Sequence, residues 1–407
     1  MKNETTTIDL SPIDRMISFL TMRYAFRYNT VLSCTEYRPV ALPADSFTPL
    51  DPRMLRRIIL EVQREGIEVS PNDIRNYIES DYVRQFDPVG DYLASCEGAW
   101  DGHDHIADLL RMVHCRDCSP EDFDFYVRRW LVAMVAATLD DNVVNHQIFV
   151  LLGPQGTYKT SFMYNLLPPE LRQYFCMKTN SQRMTKDDAF ALAENVLIDM
   201  EEVDSMGRQE VNQLKAMASQ PFVKDRPAYG RSKVRLPHMA SFCATGNNMQ
   251  FLTDETGNRR WLVFEVDHID NPWTTAINYP GVYSQIRHLL DTGFRYWFET
   301  DEIAQLNTRN RTYETPNLAR ELISTRYRKP GENEKPVYLT ASDIVARFGG
   351  QVRLSAVQVG KALQDMGFQQ YRTKHGRRFW KLFERPASDI GNIVPDGVVP
   401  TEKDLPF

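Results

Sequence analysis

Near its middle the chain reads Ile148-Phe-Val-Leu-Leu-Gly153-Pro-Gln-Gly156-Thr-Tyr-Lys159-Thr160-Ser161. A short apolar run bounded by a glycine reads as a buried strand, and the residues after the glycines read as the start of a helix. Gly153 and Gly156 allow the backbone between them to turn and to approach a ligand without a Cβ clash. Such a loop gathers backbone N–H groups, a cation and a hydroxyl at one point, which is what nucleotide phosphates and Mg²⁺ require. Gly153, Gln155, Gly156, Thr157, Lys159, Thr160 and Ser161 are therefore the expected ATP-binding residues. In this reading Lys159 lies on the β- and γ-phosphates, and Thr160 offers its hydroxyl to Mg²⁺.

The P-loop pattern G-x-x-x-x-G-K-[ST] calls for glycine directly before the lysine. This chain has Tyr158 there. Tyrosine tolerates positive φ poorly, so the expectation is a loop that closes differently, with Gly156 taking the sharp bend.

Two carboxylate-rich and amide-rich strand ends follow. Asn195-Val-Leu-Ile-Asp199-Met-Glu201-Glu202 is a short apolar strand ending in acids, with Asp199 placed 40 residues after Lys159. Phosphoryl chemistry needs an acid on a neighbouring strand for Mg²⁺ and a second acid to polarise the attacking water. Asp199 is the expected metal-side acid, and either Glu201 or Glu202 the base. Ala240-Ser-Phe-Cys-Ala-Thr-Gly-Asn247 is a second apolar run, ending in an amide suited to hydrogen-bond a γ-phosphate or the lytic water. Asn258-Arg259-Arg260-Trp261 then places two arginines before a further apolar strand. Arginine suits the stabilisation of charge on a transferring phosphoryl group, in cis or from a neighbouring subunit.

This ordered set, together with Arg226-Pro-Ala-Tyr229-Gly-Arg231, resembles the virulence-associated E (VirE) family over roughly residues 95 to 300. That family is similar to superfamily 3 helicases, hexameric AAA+-like ATPases of phages, plasmids and genomic islands. The resemblance implies ATP and Mg²⁺ as cofactors, single-stranded or forked DNA as partner, and a homohexamer. It assigns Asp199 and Glu202 as the Walker B acids, Asn247 as the sensor, and Arg259 or Arg260 as the arginine finger. It also implies a DNA-contacting hairpin between the acidic strand and the sensor strand. That interval holds Lys224, Arg226, Arg231, Lys233 and Arg235 around Tyr229, and basic residues with an aromatic suit backbone tracking and base stacking. No primase acid pattern precedes the glycine loop, so priming is not supported.

The expected fold class is an α/β P-loop NTPase (AAA+-like) core, with a mainly helical N-terminal domain and a C-terminal winged helix. The expected divisions are 1–145 for the helical region, 146–300 for the ATPase, 301–336 for a connector and linker, 337–385 for the winged-helix module and 386–407 for a disordered tail. In the C-terminal module, two capped helices precede a hairpin expected to turn at His375-Gly376, carrying Arg372, Lys374, Arg377 and Arg378. A patch of that kind binds phosphates in a salt-dependent manner.

The net charge of −6 gives no global attraction to nucleic acid, so any such site must be a local basic patch. The N-terminal residues lack the apolar core of a signal peptide, and no stretch has the length that spans a bilayer. A cytoplasmic protein with no membrane partner is expected. Cys115-Arg-Asp-Cys118 has metal-ligand spacing but lacks a second ligand pair. These thiols read as reduced and structurally incidental, and Asp101, His103 and His105 as a solvated capping loop. The function expected is an ATP-hydrolysing DNA helicase or replication protein of a mobile element. The alternative is a nucleotide-gated DNA-binding regulator or defence ATPase without strand separation.

Overall fold

The computed structural model describes residues 10–179, 186–225, 233–252, 258–315, 317–331, 334–348, 354–373 and 376–386. Two compact units divide between Glu314 and Thr315. The first is mixed α/β around a six-stranded sheet. Its strands are β1 (Val113–Cys115), β2 (Ile148–Leu152), β3 (Phe175–Thr179), β4 (Leu197–Glu201), β5 (Ser241–Gly246) and β6 (Trp261–Ile269). They lie in the order β1-β6-β2-β5-β4-β3, parallel throughout except for β1, which runs antiparallel to β6 at the edge.

The continuous apolar run of β2 is explained by this central place. Phe149 and Leu151 enter one core layer, with Trp130, Phe162 and Phe264. Ile148, Val150 and Leu152 enter the layer on the other face, with Phe242, Trp261 and Val263. All five β2 side chains are fully buried, so no polar residue fits the strand. The first layer is roofed by the helix Pro120–Leu139, which Ser119 caps by accepting the N–H of Asp122.

The N-terminal region carries a small sheet beside its helices. Strands Tyr24–Asn29, Cys34–Pro39, Thr48–Pro49 and Gln85–Phe86 form a four-stranded sheet of their own. It packs with helices Pro12–Arg23, Pro52–Arg64 and Pro71–Ile78 around Leu20, Ile58, Val62 and Ile74. Residue 145 is not a structural boundary, because Val89, Leu93, Ile106 and Leu109 already share the core layer beneath the central sheet. The expected connector also divides. Helix Thr300–Asn310 belongs to the first unit, where buried Asn310 donates to the carbonyls of Asn258 and Trp261. Helix Leu318–Arg326 belongs to the second unit, through Ala319 and Ile323.

The second unit packs helices Leu318–Arg326, Ala341–Arg347 and Ala356–Asp365 around Trp380 and Leu382. Strand Gln370–Arg372 pairs antiparallel with Arg378–Glu384, and Val337–Leu339 pairs on the latter's other side. Lys374, His375 and the tail beyond Pro386 lie outside the described residues. Among the described residues, no helix is long and apolar enough to cross a membrane.

Candidate active site

The carboxyl ends of β2, β4 and β5 meet at a cleft of about 410 Å³. A parallel sheet turns all its strand ends the same way, so residues far apart in sequence arrive at one edge. Gln155, Gly156, Thr157, Lys159, Thr160, Ser161, Glu201, Glu202 and Asn247 all line the cleft. Gly153 joins β2 to β5 by donating its N–H to Gly246 O at 3.2 Å. A Cβ on Gly153 would sit 2.7 Å from the Val266 carbonyl oxygen, so the loop leaves the sheet through a gap only glycine fills.

The loop bends twice. Gly156 has φ +85°, as expected, but Tyr158 also adopts the left-handed region, at φ 62° and ψ 19°. The expectation that tyrosine would avoid this conformation is corrected. Tyr158 is the residue at which the loop turns into the helix Lys159–Tyr164, so the backbone there is set by its neighbours rather than by its own preference. The cost of a left-handed non-glycine residue is about 1–2 kcal/mol, and 41% of the tyrosine stays exposed.

Lys159 is buried, and its ammonium donates to the loop carbonyls of Gly153 (2.8 Å) and Pro154 (2.7 Å). Asn247 Oδ1 lies 3.5 Å away on the opposite wall. Burial lowers the Lys159 pKa, and the negative charge of Asp204 works against that shift. Thr160 Oγ1 donates to Glu201 Oε1 at 3.3 Å. Glu202, at φ 54°, turns the chain out of β4 and stands exposed at the lip.

Asp199 has no solvent exposure. Its Oδ1 receives a weak contact from the Cys243 thiol at 3.6 Å, and its Oδ2 has no partner among the described residues. Burial, reinforced by the negative charge of Glu201, pushes its pKa up to about 7. A buried carboxyl oxygen without a donor is costly, and Asp199 lies beneath the cleft, outside the residues that line it.

Asp204 was not foreseen from the sequence. Its Oδ2 accepts the Asn248 N–H at 2.9 Å, and its Oδ1 is buried without a partner among the described residues. A Cβ on Gly246 would lie 2.8 Å from that Oδ1. Asp204 thus fixes the turn that presents Asn247. The sequence signal was its place five residues after Asp199, within the same acidic run.

The two arginines are not at this cleft. Trp261 pairs with Ile148, the first residue of β2, so Arg259 and Arg260 stand at the opposite edge of the sheet from Gly153. Four residue steps at about 3.3 Å each separate those edges by roughly 13 Å. Arg260 is half-buried and donates through Nε to Ser219 Oγ at 2.9 Å, while Arg259 is exposed. A role in the cleft of their own chain is excluded by this placement.

Between β4 and β5 the chain forms an antiparallel pair, Phe222–Asp225 with Val234–Pro237, in which Lys224 faces Arg235. Lys233, directly before the second of these strands, is exposed, and Arg226, Tyr229 and Arg231 lie outside the described residues. In the second unit, Arg372 and Arg378 face one another across the hairpin, and both they and Arg377 are exposed. In the loop before the central helices, Asp104 caps the helix His105–Leu110, His105 is buried with its Nε2 2.9 Å from Asp101, and His103 is exposed.

Comparison with curated proteins returned no match. Among solved structures, the chain is similar to an apo structure of the NrS-1 C-terminal region, with 12% identity, TM-score 0.47, and coverage of 91% of this chain and 99% of that one. The A-form apo structure of the same region gives 12% identity and TM-score 0.47 over 92% of this chain and 100% of that chain. Residues 93–315 match the virulence-associated protein E-like domain, a span that covers the six-stranded sheet and every residue of the cleft. The chain belongs to the virulence-associated protein E-like family.

Proposed function

We propose that the protein is an ATP-hydrolysing, DNA-acting motor of the superfamily 3 helicase type, serving replication of a mobile element. The observation that carries this reading is the convergence of Lys159, Thr160, Glu201, Glu202 and Asn247 on one edge of the sheet, with Asp199 buried behind Glu201 on β4. In this reading the sheet and its loop are a P-loop NTPase core, and the loop wraps the nucleotide phosphates.

Each residue then has a task set by its surroundings. The Lys159 ammonium rests on two neutral carbonyls, which a phosphate oxygen displaces because it adds an opposite charge to the same donor. Thr160 and Asp199 would hold Mg²⁺, which when bound neutralises charge at the β- and γ-phosphates. The unpartnered Asp199 oxygen fits that ion, because a neighbouring cation favours the ionised carboxylate that burial opposes. Glu201 is engaged by Thr160, which leaves exposed Glu202 as the base that orients the attacking water. Asn247 supplies an amide to the γ-phosphate side, held in place through Asp204 and Asn248. Arg259, exposed and remote from its own cleft, is assigned to the nucleotide of a neighbouring subunit in a hexameric ring.

The second unit reads as a winged helix that binds DNA. Like charges directly opposite on a hairpin destabilise it, so the Arg372–Arg378 pair is explained by an anionic partner. The test is ATP hydrolysis by the full chain with and without single-stranded DNA. DNA should stimulate turnover in the wild type, and Lys159→Ala should abolish it. Equal turnover in the two proteins defeats the reading. Strand displacement on forked DNA separates a helicase from a nucleotide-gated regulator, which would hydrolyse ATP and bind DNA without displacing a strand.

A further inference from the structure

We propose that His114, His268 and Asp270 form a binding site for a divalent transition-metal ion, best suited to Zn²⁺, at the sheet edge beside the glycine loop. His114 lies on β1 and His268 on β6, directly opposite one another in the antiparallel register. Their imidazoles stack at 4.0 Å between centroids and 10° between planes. Asp270 Oδ1 lies 3.3 Å from His114 Nε2. One ligand atom from each of the three residues falls within 4.8 Å of the other two.

The strand pairing is irregular at this point, and the irregularity makes the site. Val266 pairs with Cys115 and His268 with His114, so Asp267 is an extra residue on β6. Such a bulge redirects the side chains that follow it. Without it Asp267 rather than His268 would oppose His114. The displaced Asp267 also serves the site, since its Oδ2 accepts from His268 Nδ1 at 3.0 Å. A carboxylate on one ring nitrogen fixes the tautomer that leaves Nε2 free as a ligand, an arrangement common behind metal-bound histidines. Arg116 holds Asp267 in turn, with Nε 2.7 Å from Oδ1. Asp267 is therefore a positioning residue and not a ligand.

Two imidazoles and one carboxylate suit Zn²⁺, Co²⁺ or Ni²⁺, whereas Mg²⁺ and Ca²⁺ prefer oxygen donors alone. With three protein ligands, a fourth position remains for water. The three side chains are partly exposed, which gives an ion entry from solvent. The ion would join β1 to β6 just beyond Val266, whose carbonyl abuts Gly153. The site is separate from the nucleotide cleft, and neither it nor its test depends on ATP hydrolysis.

The test is titration of chelator-stripped full-length protein with Zn²⁺ by calorimetry, and with Co²⁺ by absorption spectroscopy. The wild type should bind one ion of either metal per chain. The Co²⁺ spectrum should show visible ligand-field bands without the near-ultraviolet charge-transfer band of a thiolate ligand. His268→Ala or His114→Ala should abolish binding, and Asp267→Asn should weaken it about tenfold to a hundredfold. Cys115→Ser/Cys118→Ser should bind as the wild type does. Absence of binding overturns the proposal. So does a thiolate band lost in the double serine variant, which would move the ion to the neighbouring Cys115–Asp117–Cys118 cluster.

Discussion

Asp199→Asn tests the buried acid through stability rather than catalysis. The folded-state pKa of about 7 lies above the ordinary value of 3.8, so the native protein keeps a proton that the unfolded chain releases. Stability is therefore unaffected below about pH 4 and falls as pH rises from there to about 7. Three pH units at about 1.36 kcal/mol each cost the native state about 4 kcal/mol above pH 7. Between pH 5 and pH 8 the wild type should lose about 2–3 kcal/mol through this group alone. Asparagine has the same shape and no ionisation, so the variant should lose that slope and be the more stable protein at pH 8. The assay is urea unfolding at both pH values in a chelating buffer, following the unit that contains the six-stranded sheet. Adding Mg²⁺ with ATP at pH 8 should recover stability in the wild type and not in the variant. Parallel pH slopes for the two proteins would falsify the assignment of a buried carboxyl that holds its proton toward neutral pH.

Other consequences follow from the same geometry. Tyr158→Gly should raise the melting temperature by an amount corresponding to about 0.5–1 kcal/mol, since it removes left-handed strain while making the unfolded chain freer. Gly153→Ala should cost about 1–3 kcal/mol and weaken nucleotide binding in calorimetry, because the new Cβ meets the Val266 carbonyl at 2.7 Å and backbone cannot step aside. Arg259→Ala and Lys159→Ala should each be inactive alone, and mixing them should restore part of the ATPase activity if an arginine crosses to a neighbour's site. Arg372→Ala with Arg378→Ala should weaken DNA binding on all sequences and reduce the salt slope by about one per arginine removed, as measured by fluorescence anisotropy.

Much of the cleft was legible because its parts are local. The apolar run of β2, the glycines and the Lys-Thr pair lie within fourteen residues, and each acts through its own backbone or side chain. Glu201, Glu202 and Asn247 were legible because they end apolar strands or follow directly on them, and a parallel sheet sends such ends to the same edge, whereas Asp199 lies mid-strand and buried. Asp204 was not, because its role lies in a hydrogen bond to Asn248, across 44 residues. The N-terminal sheet escaped for a similar reason. Strand Gln85–Phe86 has two residues and exists only through its pairing with Tyr28 and Asn29.

The sequence by itself determined the strands, the turn and the chemical types available, since periodicity and glycine placement act over short distances. Only tertiary structure decided which residues share a site. Parallel register put Arg259 and Arg260 at the far edge from Lys159, although they follow the other motif residues in chain order. A one-residue bulge brought His268 opposite His114, across 154 residues of chain. Burial decided the state of Asp199, because a carboxyl's pKa depends on the dielectric and the charges around it, and both are set by packing. Even Tyr158 obeyed the fold over its own preference, since the loop's two ends are fixed by the sheet and the helix it joins.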